Sequence, residues 1–179
     1  MKPLHVLRAV AAAGVLALAG VLAWHLTHQP KSVAKAVAHG KPVAAPPFRL
    51  HSLSGSGTVS LAAYRGKAVV LNFWASDCAP CKREMPRLEQ AAERWAGKPV
   101  AVVGIDVVDS RGAARAFARK HGVTYAIGFD GLGDTVAPYG VLYTPTTFFI
   151  DRRGLIVKRI LGPVSKSDLD VQIRHALTS

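Results

Sequence analysis

Cys78 and Cys81 are the chain's two cysteines, and they stand three positions apart in Cys78-Ala79-Pro80-Cys81. A disulfide between them closes too short a loop to staple a fold, because the stabilisation from a crosslink grows with the chain it encloses. The pair is therefore a chemical site, and an apolar core has to hold the fold. Ala68–Trp74 (AVVLNFW) is an apolar run of strand length, as a central parallel strand would be. Beyond the cysteines, Met85, Leu88, Ala92 and Trp95 recur at helical spacing and predict a helix from about Ala79 to Ala96. The dithiol thus sits where a buried strand hands over to a helix.

The same reading extends along the chain. Phe48–Leu53 and Thr58–Leu61 predict a small β-pair, separated by the turn Ser54-Gly55-Ser56-Gly57. Pro99–Val107 (PVAVVGIDV) is a second buried strand. Ser110 caps a helix running to His121, with Gly122 just past its end. Tyr125–Gly128 is short and extended, and Leu132–Tyr139 is a brief helix. Pro145–Asp151 and Leu155–Leu161 form a hairpin across Arg152-Arg153-Gly154, and Ser165–Leu177 is a closing helix. This order, β-α-β-α-β-β-α after the small pair, predicts an α/β domain. Its central mixed sheet has parallel strands first and an antiparallel edge, with flanking helices.

At a helix start, unpaired backbone N–H groups carry partial positive charge and favour a thiolate. Cys78 at the exposed edge is the natural attacking thiol, and Cys81, one turn inside, the resolving one. A zinc site needs four ligands, and no second cysteine pair or closely spaced histidine pair accompanies these two, so no metal is expected.

The formal charge is +12, yet no acidic residue precedes Asp77. Residues 1–67 hold eight basic residues, and the remainder is close to balance. That distribution fits attraction to anionic lipid better than a nucleic-acid stripe. Ala9 to Trp24 is an unbroken apolar or glycine run behind Lys2, His5 and Arg8. We read residues 1–26 as an uncleaved signal anchor, a transmembrane helix, in preference to a signal cleaved after Ala17-Leu18-Ala19. Lys31, Lys35 and Lys41 lie just beyond it, so the charge count does not choose an orientation; the short basic leader argues for an extracytoplasmic domain. Residues 27–47, with Pro30, Pro42, Pro46 and Pro47, read as a flexible linker, and 48–179 as the domain.

Asn72-Phe73-Trp74-Ala75-Ser76-Asp77-Cys78-Ala79-Pro80-Cys81-Lys82-Arg83-Glu84-Met85-Pro86 resembles the active-site segment of the thioredoxin superfamily. It is most similar to the membrane-anchored TlpA/ResA/CcmG-type branch. Leu61 with Gly66-Lys67, and Tyr143-Thr144-Pro145-Thr146-Thr147-Phe148-Phe149-Ile150-Asp151 with Gly154, carry the likeness further, over roughly residues 46–177. The resemblance implies a thioredoxin-like fold and a thiol–disulfide oxidoreductase. It also implies a redox-active disulfide in place of a cofactor, client proteins as partners, and a membrane thiol donor of the CcdA/DsbD kind. Clients would belong to cytochrome c maturation or copper-site assembly.

Residue by residue, the resemblance makes Thr144-Pro145 a cis peptide and places Thr144, Pro145 and Trp74 at the client-binding surface. It makes Pro86 a kink in the active-site helix. Asp109 falls where related reductases carry an acid beside the resolving thiol, with Asp106 as the rival and helix capping as the plain alternative. Asn72 occupies the place of thioredoxin's buried acid, which is therefore expected to be missing. Lys82 and Arg83 are read as solvated charges. A net oxidase or isomerase, a copper-handling module and a peroxidase-like redoxin stay open as other activities, the last disfavoured by the paired cysteines.

Asp77 departs from the branch, which has tryptophan there. A carboxylate beside the attacking thiol disfavours the thiolate and moves the couple toward more reducing potentials, with a solvated loop carboxylate pointing away as the plain alternative. Asp77→Asn is expected to lower the Cys78 pKa and make the protein more oxidising, as read by thiol alkylation against pH and by equilibration with glutathione. No change in either measurement would remove Asp77 from the tuning of the pair.

Overall fold

The computed structural model describes residues 41–179, together with Ala19, Gly20 and Val33. Most of the predicted anchor and most of the predicted linker lie outside the described residues. Among the described residues no helix is long and apolar enough to cross a membrane.

Eight strands form one sheet: β1 (Val43–Ala44), β2 (Arg49–Ser52), β3 (Thr58–Ser60), β4 (Ala68–Trp74), β5 (Val100–Val107), β6 (Ala126–Asp130), β7 (Thr146–Ile150) and β8 (Leu155–Leu161). Their order across the sheet is β1-β8-β7-β4-β5-β6-β2-β3. β4, β5 and β6 run parallel, and every other pairing is antiparallel. Within residues 41–179 the α-helices are α1 (Ala79–Arg94), α2 (Arg111–Lys120), the single turn α3 (Val136–Tyr139) and α4 (Lys166–Thr178). This is the α/β thioredoxin-like architecture expected, with a mixed central sheet and flanking helices.

All seven residues of β4 are buried, because both faces of the sheet are covered. Val69, Leu71 and Phe73 point into one core with Ile105, Tyr139 and Phe148. There the rings of Phe73, Tyr139 and Phe148 pack at 5.1–5.6 Å between centroids. Ala68 and Val70 meet Leu88 of α1 and Leu169 and Ile173 of α4 on the other face. Trp74, at the top of β4, packs with Cys81, Met85 and Phe117. A strand held from both sides gives the chain leaving its end a fixed starting point, and from β4 that chain leads directly into the dithiol.

Three differences from the sequence reading have local causes. Val43–Ala44 pairs with Ile156 and Leu155 of β8, so the sheet takes in the last residues of the predicted linker. Two residues carry too little periodicity to betray a strand. The helix expected over Leu132–Tyr139 is cut to Val136–Tyr139. Gly133 adopts φ +76°, and Asp130 accepts hydrogen bonds from the Asp134 and Thr135 N–H groups at 2.9 Å, which makes a turn of that stretch. The hairpin strand β7 is central and not at the edge, because it lies between β4 and β8.

Phe148→Ala is expected to cost about 3–5 kcal/mol, because a ring lost from the centre of the aromatic cluster leaves a cavity. Leu132→Ala, at a side chain 89% exposed, should change stability by less than about 0.5 kcal/mol. Urea unfolding of the two variants measures both.

Candidate active site

Cys78 and Cys81 are joined by a disulfide with S–S 2.02 Å. Cys78 is the N-cap of α1, and its Sγ accepts a hydrogen bond from the Cys81 N–H at 3.2 Å. Pro80 occupies the first turn, where a missing N–H costs nothing. Cys78 retains 8% exposure and Cys81 none. The more accessible sulfur is thus the one at the helix mouth, where the backbone favours a thiolate.

The Thr144–Pro145 peptide is cis. β7 pairs Thr146 with Phe73, so Pro145 lies alongside the top of β4, next to where the chain leaves for Cys78. Thr144 is half-buried, while Leu142 and Tyr143 before it are exposed. Trp74 requires a correction. It is fully buried, stacked on Phe117 at 5.2 Å with its indole over Gly104, and belongs to the core beneath the site instead of the client-binding surface. Pro86 lies inside α1 with its ring exposed, and Lys82, Arg83 and Asp77 are exposed. Water therefore screens the Asp77 charge.

The acids are arranged differently from the expectation. Asp109 accepts from the Ser76 N–H at 2.8 Å and the Ser110 N–H at 2.6 Å. Burial pushes its carboxyl up, but these hydrogen bonds outweigh that and hold it below the usual carboxylate range. Asp109 thus ties the loop before Cys78 to the start of α2, the capping role held as the plain alternative to proton acceptor for Cys81. Asp106 contrasts with it: fully buried, paired in register with Trp74, and with both oxygens unpartnered. Burial first, then the Asp109 and Asp130 carboxylates, push it up to about 8.

No acid stands at position 72, as expected, yet a buried acid lies beside it. Asn72 is buried on β4, and its Nδ2 donates to Glu84 Oε1 at 2.8 Å and to Thr147 Oγ1 at 2.9 Å. Glu84, fully buried on α1, also accepts from the Val164 N–H at 3.0 Å. The acid comes from the helix instead of the strand. Burial raises the Glu84 carboxyl to about 7, with the Val164 and Asn72 hydrogen bonds and the Arg87 charge opposing. Glu84 comes three residues after Cys81, a spacing that makes neighbours on one helix face. The sequence reading missed it, although a signal was present. Cys81, Glu84, Met85 and Leu88 share the inward face of α1, and an acid on an apolar face demands a reason.

A disulfide at a helix mouth, a cis-proline beside it and a buried acid near neutrality can exchange disulfides and manage the proton of the inner thiol. Among the described residues no group of histidine, cysteine, aspartate or glutamate could hold a metal ion.

Comparison with known proteins agrees with this chemistry. The AhpC/TSA family profile matches residues 43–159. The thiol-disulfide oxidoreductase ResA of Geobacillus thermodenitrificans is 37% identical over 125 residues, which cover 70% of this chain and 71% of that protein. The thioredoxin-like protein YneN of Bacillus subtilis is 36% identical over 168 residues, 90% of this chain and 95% of that one. Among solved structures, a secreted Mycobacterium tuberculosis disulfide oxidoreductase homologous to DsbE of E. coli superposes with TM-score 0.64 at 28% identity, over 72% of this chain and 95% of that one.

Because the carboxyl of Glu84 is more basic folded than unfolded, its ionisation opposes folding, and that loss accrues as pH rises from about 4.5 through about 7. The same ionisation equips it to take the Cys81 proton. In the wild type, attack by Cys81 on a mixed disulfide should speed up as pH rises through about 7. Glu84→Gln should slow that step about 100-fold and abolish the inflection. Stopped-flow kinetics from pH 5 to 9 test this, and an unaltered profile would remove Glu84 from the proton path.

Proposed function

The chain belongs to the AhpC/TSA family and is a thioredoxin-like thiol–disulfide oxidoreductase, and on that footing we propose that it works outside the cytoplasmic membrane as a reductase of client-protein disulfides. The observation that carries this reading is the buried Glu84 beside the inner cysteine. A reductase must deprotonate a sealed thiol at the moment it attacks, and a carboxyl raised to about 7 can accept that proton at neutral pH.

In the forward direction, the Cys78 thiolate attacks a client disulfide. One client sulfur bonds to Cys78, and the other leaves as a thiolate that takes a proton from water. Glu84 accepts the Cys81 proton, and Cys81 attacks the Cys78 sulfur. The second client thiolate departs, and the Cys78–Cys81 bond forms. Two electrons pass to the client, and a membrane dithiol donor of the CcdA/DsbD kind restores the pair. The client backbone is held along Thr144-Pro145, where an extended segment can lie beside the sheet. Exposed Val108, Leu142 and Tyr143 offer it apolar contacts. Val108 adopts φ +52°, an uncommon conformation for a β-branched residue.

The extracytoplasmic placement draws on the apolar segment at residues 9–24 and on the secreted relative. We assign residues 1–26 as the anchor. Clients in cytochrome c maturation or metal-site assembly fit a reductase working where disulfides otherwise persist.

A Cys81→Ser variant of the full chain should accumulate Cys78 as a mixed disulfide with its client, at least tenfold above the Cys78→Ser control in non-reducing gels of whole cells. Mass spectrometry then names the client. An exported variant that traps nothing would defeat the exchange mechanism.

A further inference from the structure

The end of the sheet opposite the disulfide carries a separate feature. A cleft of about 260 Å³ is lined there by Arg65, Lys67, Arg152 and Arg153, with Tyr64 and Asp151. All four cations are exposed. Asp151, whose side chain is fully buried, pairs with Arg153 alone among these four. It is engaged by the Arg153 guanidinium at 2.8 Å and by the Arg153 and Leu155 N–H groups. Among the described residues no carboxylate lies within ion-pair distance of Arg65, Lys67 or Arg152. Arg152 Nε donates to the Gly66 carbonyl at 3.0 Å, which joins the loop before β4 to the β7–β8 turn and fixes the spacing of the cations.

The Cys78–Cys81 bond lies beyond the other end of β4. The seven residues of β4 separate it from the cleft by about 20 Å. The cleft and the dithiol thus lie at opposite ends of the central strand. Ala45 also lines the cleft, just past the end of β1, which runs antiparallel to β8 toward this end of the sheet.

We propose that the cleft ringed by Arg65, Lys67, Arg152 and Arg153 is a docking site for anionic phospholipid headgroups, which seats the domain base-down on the bilayer with the Cys78–Cys81 bond directed away from it. Clustered guanidinium and ammonium groups match the phosphate of a lipid headgroup. A half-buried tyrosine at the rim suits the interface between water and acyl chains. The inference rests on the anchored reading above, which supplies the high local concentration of bilayer that a modest electrostatic site requires.

The test uses the full chain reconstituted in vesicles of phosphatidylcholine alone, or with one-third phosphatidylglycerol. Lysine acylation is followed by mass spectrometry, with Lys82 at the opposite end as the internal reference. Phosphatidylglycerol should lower acylation of Lys67 relative to Lys82 at least threefold. About 0.5 M salt should reverse that, because the Debye length then shrinks to about 4 Å. Arg65→Gln with Arg152→Gln should abolish the protection, and Arg65→Lys with Arg152→Lys should keep it. Insulin reduction by all forms should be unchanged. Equal acylation in both vesicles, or protection that survives the Gln variants, overturns the proposal. Flotation with phosphatidylcholine vesicles at high salt reports on the anchor separately. A chain that fails to float ends the anchored reading, while its Lys67 protection by phosphatidylglycerol still decides the cleft.

Discussion

The carboxyl of Glu84 joins three pieces of chain that are far apart in sequence. It rides on α1 one turn after Cys81, takes a hydrogen bond from Asn72 on β4, and takes another from Val164 just before α4. A buried carboxyl without donors would be expensive, and two N–H groups offset only part of that cost. The remainder appears as a raised proton affinity. The contact that helps lock the active-site helix to the sheet is thus also the one that can hold a proton beside the resolving thiol. Structure and chemistry cannot be varied independently there.

The neighbouring acids show the same rule by contrast. Asp109 and Asp130 each collect hydrogen bonds: Asp109 from Ser76 and Ser110, Asp130 from Asp134 and both groups of Thr135. Asp106 collects none, is fully buried, and feels both carboxylates. Like charges in a dry site cannot all ionise, so the one without donors keeps its proton. Donor placement, and not residue type, sorts three aspartates into two clamps and one proton store. The store lies directly across from Trp74, whose buried ring floors the site without reaching a client.

Much of the architecture was legible in the sequence. β4 and β8 fall at the boundaries read from apolar runs, and Ser110 caps α2 through its Oγ to the Ala113 N–H. Those elements are written in local pattern: an apolar stretch, a helical period, a cap. The misreadings share a cause. Val43–Ala44 is a strand only because β8 lies beside it. Leu132 escapes a helix because Asp130 claims the next N–H groups. Trp74 had the look of a contact residue, but Phe117 and Gly104 enclose it. Each depends on a contact, near or distant, that hydrophobic periodicity does not report.

Taken alone, the sequence determined that two cysteines stand at the junction of a buried strand and a helix, which suffices for disulfide exchange because backbone dipoles and sulfur spacing are local properties. It also implied a proline beside them. The tertiary structure decided which acids are buried and raised in proton affinity and which are held by backbone N–H groups. Proton affinity is set by burial and by neighbours brought from distant positions. Glu84 meets its partners across 12 and 80 residues of chain, and only the folded sheet brings them together.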